Sequence, residues 1–317
     1  MVAAGNDGTD KDGKGEIAQM SVTPPGTAKN CITVGASENL RPNVTVTYGE
    51  DWPQDFPVAP FNTEKLADDP DRVVAFSSRG PTVDGRTKPD VVAPGTYILS
   101  TRSRLIAGNH FGWGRFAPSN LYMYDGGTSM ATPLVAGVVA LLREYMRSKK
   151  AIASPSAALL KAALIAGATR LPGEAVKGAV MDNAQGFGRV NVDAVVAPTP
   201  PATTTFAEVA PGLRTGEMHA VDFALKSNKA PLRVVLAYSD YPGDSLVNDL
   251  NLVLRGPNGL TLTGNATPGA PGSLDSNNNV EAIHVATPTA GAYTVQVVAS
   301  NVPQGPQPFA LVYVGDI

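Results

Sequence analysis

Near residue 198 the hydrophobic pattern of the chain changes period, and this limits what it can fold into more than any other feature. Upstream lie short apolar runs, residues 1–5, 31–36, 73–76 and 91–93, followed by two long helix-like stretches. The first stretch runs from about Ser129 to Lys149 and is apolar on nearly every side, which predicts a buried helix. Lys149 and Lys150 at its end suit the negative pole of a helix. The second opens at Ser154-Pro155, an N-cap and first-turn proline, and continues through residues 156–168. Downstream, residues 232–236, 251–254 and 293–297 alternate with period two, separated by turns such as Pro257-Asn258-Gly259. Between the two regimes, Pro198-Thr199-Pro200-Pro201 and the following threonines read as a stiff extended connector.

The expectation is therefore an α/β domain over 1–197 with a mostly parallel sheet, a linker over 198–206, and an all-β sandwich or jelly roll over 207–317. The 317 residues are ample for two cores. With 25 Lys+Arg against 28 Asp+Glu, the net charge of -3 predicts neither nucleic-acid nor membrane-surface binding. No apolar run reaches membrane-spanning length, and residues 1–5 do not read as a secretory signal. A single cysteine, Cys31, excludes an internal disulfide and a cysteine zinc site.

The segment that carries chemistry is Gly126-Gly127-Thr128-Ser129-Met130-Ala131-Thr132-Pro133, at the mouth of the first predicted helix. A serine there has its hydroxyl and N–H at the positive helix end, where an oxyanion is stabilised. The two glycines permit close approach of a substrate backbone. By itself Gly-Thr-Ser reads as an ordinary N-cap serine on a buried helix.

The longer string GTSMATPLVAGVVALL resembles the nucleophile segment of subtilisin-like serine proteases, the subtilases. Further segments resemble that family in the same order: residues 2–8 (VAAGNDG), 25–30 (PGTAKN), 76–81 (FSSRGP) and 88–95 (KPDVVAPG). The resemblance covers residues 1 to about 195. The tail, with Ser239-Asp240 and Val247-Asn248-Asp249-Leu250, is similar to the β domain that follows the catalytic domain in some alkaline subtilases. The resemblance implies a partial subtilisin-like sheet with Ser129 as nucleophile. Its N–H and the amide of Asn6 would form the oxyanion hole. Ala3, Ala4, Gly5 and Gly127 would line the substrate pocket, whose small side chains leave room for a bulky apolar group. It also implies a peptide or ester substrate and secretion.

The same resemblance places the partner Asp and His on elements before the Asn6 strand, so neither is expected within these 317 residues. The expected function is that of a truncated serine hydrolase acting as an esterase. The alternative is an inactive remnant serving as a binding module, or one chain of a cleaved protease. A positioned serine and an oxyanion hole without a base retain roughly 10³–10⁴ of catalysis over water. Of the histidines, His219 and His284 fall in period-two stretches. His110 lies in a Gly/Asn-rich loop and reads either as a packed loop residue or as a makeshift base oriented by Asp125 or Asp90. An incomplete sheet predicts cover for its open flank: a missing N-terminal fragment, a second copy of the chain, or the loops 38–71 and 102–123.

Asp240, Asp244, Asn248, Asp249 and residues 275–279 offer hard oxygen ligands that suit a structural Ca²⁺, with Asp249 and Asp275 the strongest candidates. The competing reading is ordinary Asn/Asp turn chemistry.

Overall fold

The computed structural model describes residues 1–172, 179–266 and 272–317. The first half is built on a parallel sheet of β1 (Val2–Ala3), β2 (Thr33–Ser37) and β3 (Val91–Pro94), in that spatial order. All five residues of β2 are buried, as a central parallel strand requires. The long stretch between β2 and β3 is mostly irregular, with a one-turn helix α1 (Tyr48–Asp51) held by a Thr47–Glu50 capping box. Residues 73–76, expected as a strand, are not one. Only Val73 bridges to Ser37, and the segment then turns, its apolar side chains filling the core from a loop. After β3 come β4 (Ile98–Thr101), β5 (Gly114–Arg115) and β6 (Tyr122–Asp125), a small antiparallel sheet with β6 in the middle.

Helix α2 (Thr128–Lys149) contributes one seam to the core: Ala131, Val135, Leu142 and Met146, spaced four, seven and four residues apart. The expectation of burial all round is corrected here. Leu134 is 42% and Leu141 59% exposed, because no described element covers that flank. Helix α3 (Ala157–Gly167) starts two residues later than expected. Ser156, not Ser154, is its N-cap, and its hydroxyl accepts from the Leu159 N–H at 3.0 Å. Its buried residues, Leu159 and Ala162 through Gly167 among them, lie on every side. It is sandwiched between the first half and the β strands that follow, which is where an all-apolar helix belongs.

After a single turn, α4 (Asp193–Val196), the chain forms β7 (Thr203–Leu213), β8 (Met218–Leu225), β9 (Leu232–Ala237), β10 (Asp249–Arg255), β11 (Thr261–Thr263), β12 (Val280–Val285), β13 (Gly291–Asn301) and β14 (Gln307–Gly315). They pair antiparallel into two four-stranded sheets, ordered β11-β10-β13-β8 and β12-β9-β14-β7. Leu232, Val234 and Leu236 of β9 point between the sheets, against Leu250, Leu252, Leu254, Val295 and Leu311. Val235 and Ala237 point the other way and join the core around α3. The sheet of β9 is thus covered on both faces, which explains why residues 234–237 are apolar without alternation. A buried ion pair ties the halves. Lys29 Nζ lies 2.7 Å from Asp240 Oδ2 and also donates to the carbonyls of Tyr241 and Ser245, while Asn30 exchanges hydrogen bonds with the main chain of Asp240.

Beneath the parallel sheet, Asp90 accepts from Lys88 Nζ at 2.6 Å, Lys161 Nζ at 2.8 Å and the Thr33 N–H at 2.7 Å. Burial pushes the Asp90 pKa up, but the two ammonium groups outweigh it and hold the carboxyl below its ordinary range. This carboxylate is fully engaged in anchoring α3 to the sheet.

Candidate active site

The site is assembled where the end of β1 meets the start of α2. The Ala4 N–H donates to the Val34 carbonyl at 2.9 Å, continuing the strand. Gly5 then adopts a φ of +109°, and a Cβ there would stand 2.7 Å from Thr23 Oγ1 and 2.8 Å from Ser78 Oγ. Only glycine makes this turn. It swings Asn6 toward Gly127, itself at a φ of +130°. Beyond it, the Asp7 N–H donates to Ser78 Oγ and the Gly8 N–H to the Phe76 carbonyl, which clamps the far side of the turn.

Asn6 Oδ1 accepts from the Thr128 N–H at 2.9 Å and from the Thr128 hydroxyl at 3.0 Å. The hydroxyl accepts in turn from the Gly5 N–H at 3.3 Å. Because the Thr128 N–H can only donate, the side-chain atom facing it must be the oxygen, which fixes the orientation of the amide. Asn6 Nδ2 is left with no partner among the described residues, 3.3 Å from where a Cβ on Gly127 would stand.

At the first turn of α2, the N–H of Thr128 is satisfied by Asn6, and those of Met130 and Ala131 by the Gly127 carbonyl. The Ser129 N–H has no acceptor among the described residues. Asn6 and Ser129 are both exposed, whereas Thr128 is wholly buried. Two unsatisfied donors and a serine hydroxyl therefore flank Gly127 at the positive end of a 22-residue helix. Of the residues expected to line a pocket, Ala3 and Gly5 keep partial exposure. Ala4 is wholly buried and offers no surface, and Gly127 is buried as well.

Sequence reasoning missed the role of Thr128, which is visible only once residues 122 apart in sequence are brought together. Trp113 is expected only as one of the covering aromatics of the 102–123 loop; its six-membered ring in fact lies so close over Gly126 that a Cβ there would be 2.1 Å from it. Trp113 is held by Trp52, Phe76 and Tyr97, with ring centroids 5.7, 5.9 and 5.2 Å away. These rings come from the two irregular stretches 38–71 and 102–123 together with the segments beside β3.

No hydrogen bond links the imidazole of His110 to Ser129 or to any carboxylate among the described residues. The bonds made by His110 are from its main chain, to Ala107 and Arg102, and the residue is exposed. Asp90 is engaged by two lysines, and Asp125 Oδ1 accepts from the Gly126 N–H. His219 packs against Phe309 in the sandwich, and His284 stands opposite Arg233 on β9.

Among the expected metal ligands, Asp240 is neutralised by Lys29. Asp275 accepts from the N–H groups of Asn277 and Asn278 and from the amides of Asn265 and Asn278, the pattern of a turn. Asp249 accepts from the Asn251 amide at 2.6 Å. Sequence reasoning missed the deepest member of this group, Glu281. One of its oxygens takes the Leu252 N–H, while Oε1 is buried with no partner, as is Asn251 Oδ1. Burial, then the charges of Asp275 and Asp249, push the Glu281 pKa well above the usual carboxylate range. Orphaned buried oxygens of this kind fit a hard cation. No three or more His, Cys, Asp or Glu side chains among the described residues form a metal-holding group, so a cation here also needs amide or main-chain oxygens.

The model of the subtilase family matches residues 1–188, more than half the chain. The chain belongs to the subtilase family. The serine protease/ABC transporter B family protein tagB of Dictyostelium discoideum is 30% identical over 323 residues, covering 81% of this chain and 17% of that protein. Pyrolysin of Pyrococcus furiosus is 36% identical over 194 residues, covering 61% of this chain and 12% of its own. Serine protease AprX of Bacillus subtilis is 36% identical over 147 residues, 44% of this chain and 25% of its own. The chain thus spans a quarter or less of the length of each of these relatives. No helix among the described residues is long and apolar enough to cross a membrane.

Proposed function

We propose that this chain carries the nucleophile and oxyanion-stabilising half of a subtilase centre, with Ser129 attacking the carbonyl of a peptide or ester. The observation that carries the reading is the clamp of Asn6 Oδ1 on Thr128, which turns Nδ2 outward beside the free N–H of Ser129. In the acyl-transfer step Ser129 Oγ bonds to the carbonyl carbon, and the oxygen that gains charge takes hydrogen bonds from Nδ2 and the Ser129 N–H. His110 makes no bond to Ser129, so in these residues alone the hydroxyl proton leaves to a solvent base, and activated esters, whose leaving groups need no proton, are the expected substrates. Peptide cleavage needs a histidine brought from elsewhere. The exposed Leu134 and Leu141 of α2 and the open edge of β1 support a second polypeptide segment, either an N-terminal fragment or another copy, as its source. Family kinship supports an extracellular setting, and the oxygens around Glu281, Asp249 and Asp275 support a structural Ca²⁺.

A fluorophosphonate probe tests this. Stoichiometric labelling that disappears in Ser129→Ala supports an activated serine. The absence of labelling, with the fold intact by circular dichroism, sinks it and leaves the second reading, a remnant that binds without catalysing. That reading is favoured by the absence of any imidazole bonded to Ser129.

A further inference from the structure

His284 and Arg233 are directly opposite each other across the β12–β9 ladder, on the face that packs toward α3. A protonated imidazole so placed would be repelled by the guanidinium, so the pair favours neutral His284 until an anion lies between them. Arg233 Nη1 donates to the carbonyls of Ala166 and Ala168 at 3.0 and 3.3 Å, satisfying the C-terminal end of α3. That accounts for one of its three nitrogens. Among the described residues, Nε and Nη2 have no partner and no carboxylate pairs with the guanidinium.

Two cavities open onto Arg233. The larger, 260 Å³, has apolar walls of Ile165, Phe187, Val235 and Ile283, with His284 at its side. The smaller, 190 Å³, runs toward Lys229 and the prolines of the connector. Neither has an Asp or Glu among its described lining residues. Arg170, also at the larger cavity, is already paired with Asp182.

We propose that the 260 Å³ cavity is a binding site for an apolar carboxylate, its aliphatic part lying against Ile165, Phe187 and Val235 and its carboxylate bridging Arg233 and His284. The geometry suits a planar anion, because the free edge of a guanidinium offers two parallel donors. The surrounding protein and then Arg233 hold His284 below its ordinary pKa, a bias that a bound anion would reverse. The C-terminal residue of a peptide and a short fatty acid share this chemistry. The site does not depend on Ser129 chemistry.

The test is titration of the full chain with N-acetyl-leucine, N-acetyl-leucinamide and hexanoate, followed by the His284 ring resonances and by calorimetry. The expected result is saturable binding of N-acetyl-leucine at about 1 mM or tighter, with the amide about tenfold weaker or worse. His284→Gln, at an exposed position, should weaken the acid about threefold with an unchanged melting temperature. Arg233→Lys, which keeps the charge and loses the fork, should weaken it about tenfold. Tighter binding of N-acetyl-leucine than of hexanoate supports a peptide C-terminus, and the reverse order supports a fatty acid. Equal affinity for acid and amide, no saturable binding, or an unchanged affinity in His284→Gln overturns the proposal.

Discussion

Asn6 Oδ1 and the main-chain nitrogen of Thr128 lie 2.9 Å apart, joining the end of β1 to the first turn of α2 across 122 residues of sequence. Through this bond, the buried residue before Ser129 orients a donor on a different element. If the clamp aims Nδ2, Asn6→Ala should slow hydrolysis of an activated ester by about 10²–10³. Thr128→Val, which removes the hydroxyl and keeps the N–H bond, should cost less. Equal rates for wild type and Asn6→Ala in a p-nitrophenyl ester assay would show that the amide plays no part.

The Lys88–Asp90–Lys161 cluster joins the sheet to α3. Asp90→Asn leaves two buried ammonium groups without their counter-charge, so we expect a loss of about 3–5 kcal/mol in urea unfolding. The sign with pH follows from the lowered Asp90 pKa. Its contribution is present above the ordinary carboxylate pKa and is lost as acid titrates through the lower folded value. In Asp90→Asn that part of the acid limb should vanish.

Glu38 behaves in the opposite sense. It is buried, accepts from the Tyr48 hydroxyl and the Asp69 N–H, and burial pushes its pKa from 4.5 to about 7. The folded chain therefore holds this proton more tightly than the unfolded chain. Stability from this group is full below 4.5 and declines as pH rises to about 7, by on the order of 3 kcal/mol. Glu38→Gln should flatten that decline. An identical slope of melting temperature against pH in the variant would rule it out.

For the oxygens around Glu281, added Ca²⁺ should raise the melting temperature, and a chelator should reverse the gain. Because the ligand must be ionised and its pKa is raised, the gain should be larger at pH 8 than at pH 6. Glu281→Gln should abolish it. A melting temperature indifferent to Ca²⁺ in the wild type would leave Asp275 as a turn residue only.

The sequence determined by itself what depends on neighbours along the chain. The period change at 198 separated the α/β elements from the antiparallel strands, and the string 126–133 placed Ser129 at a helix start. Local signals misled where tertiary contact prevailed. Ser154-Pro155 resembles a helix start, yet Ser156 is the cap. Residues 73–76 have strand composition, yet they turn, because the position beside β2 is taken by β3. The all-apolar appearance of α2 did not distinguish the seam of Val135 and Leu142 from the flank of Leu134 and Leu141, since which side is covered depends on where other layers pack. Only the tertiary structure decided the clamp of Thr128 on Asn6, the orphaned oxygen of Glu281 and the facing of Arg233 by His284. Each is a juxtaposition of groups far apart in sequence, and the energy of such a pair is set by distance and burial, which residue order alone does not encode.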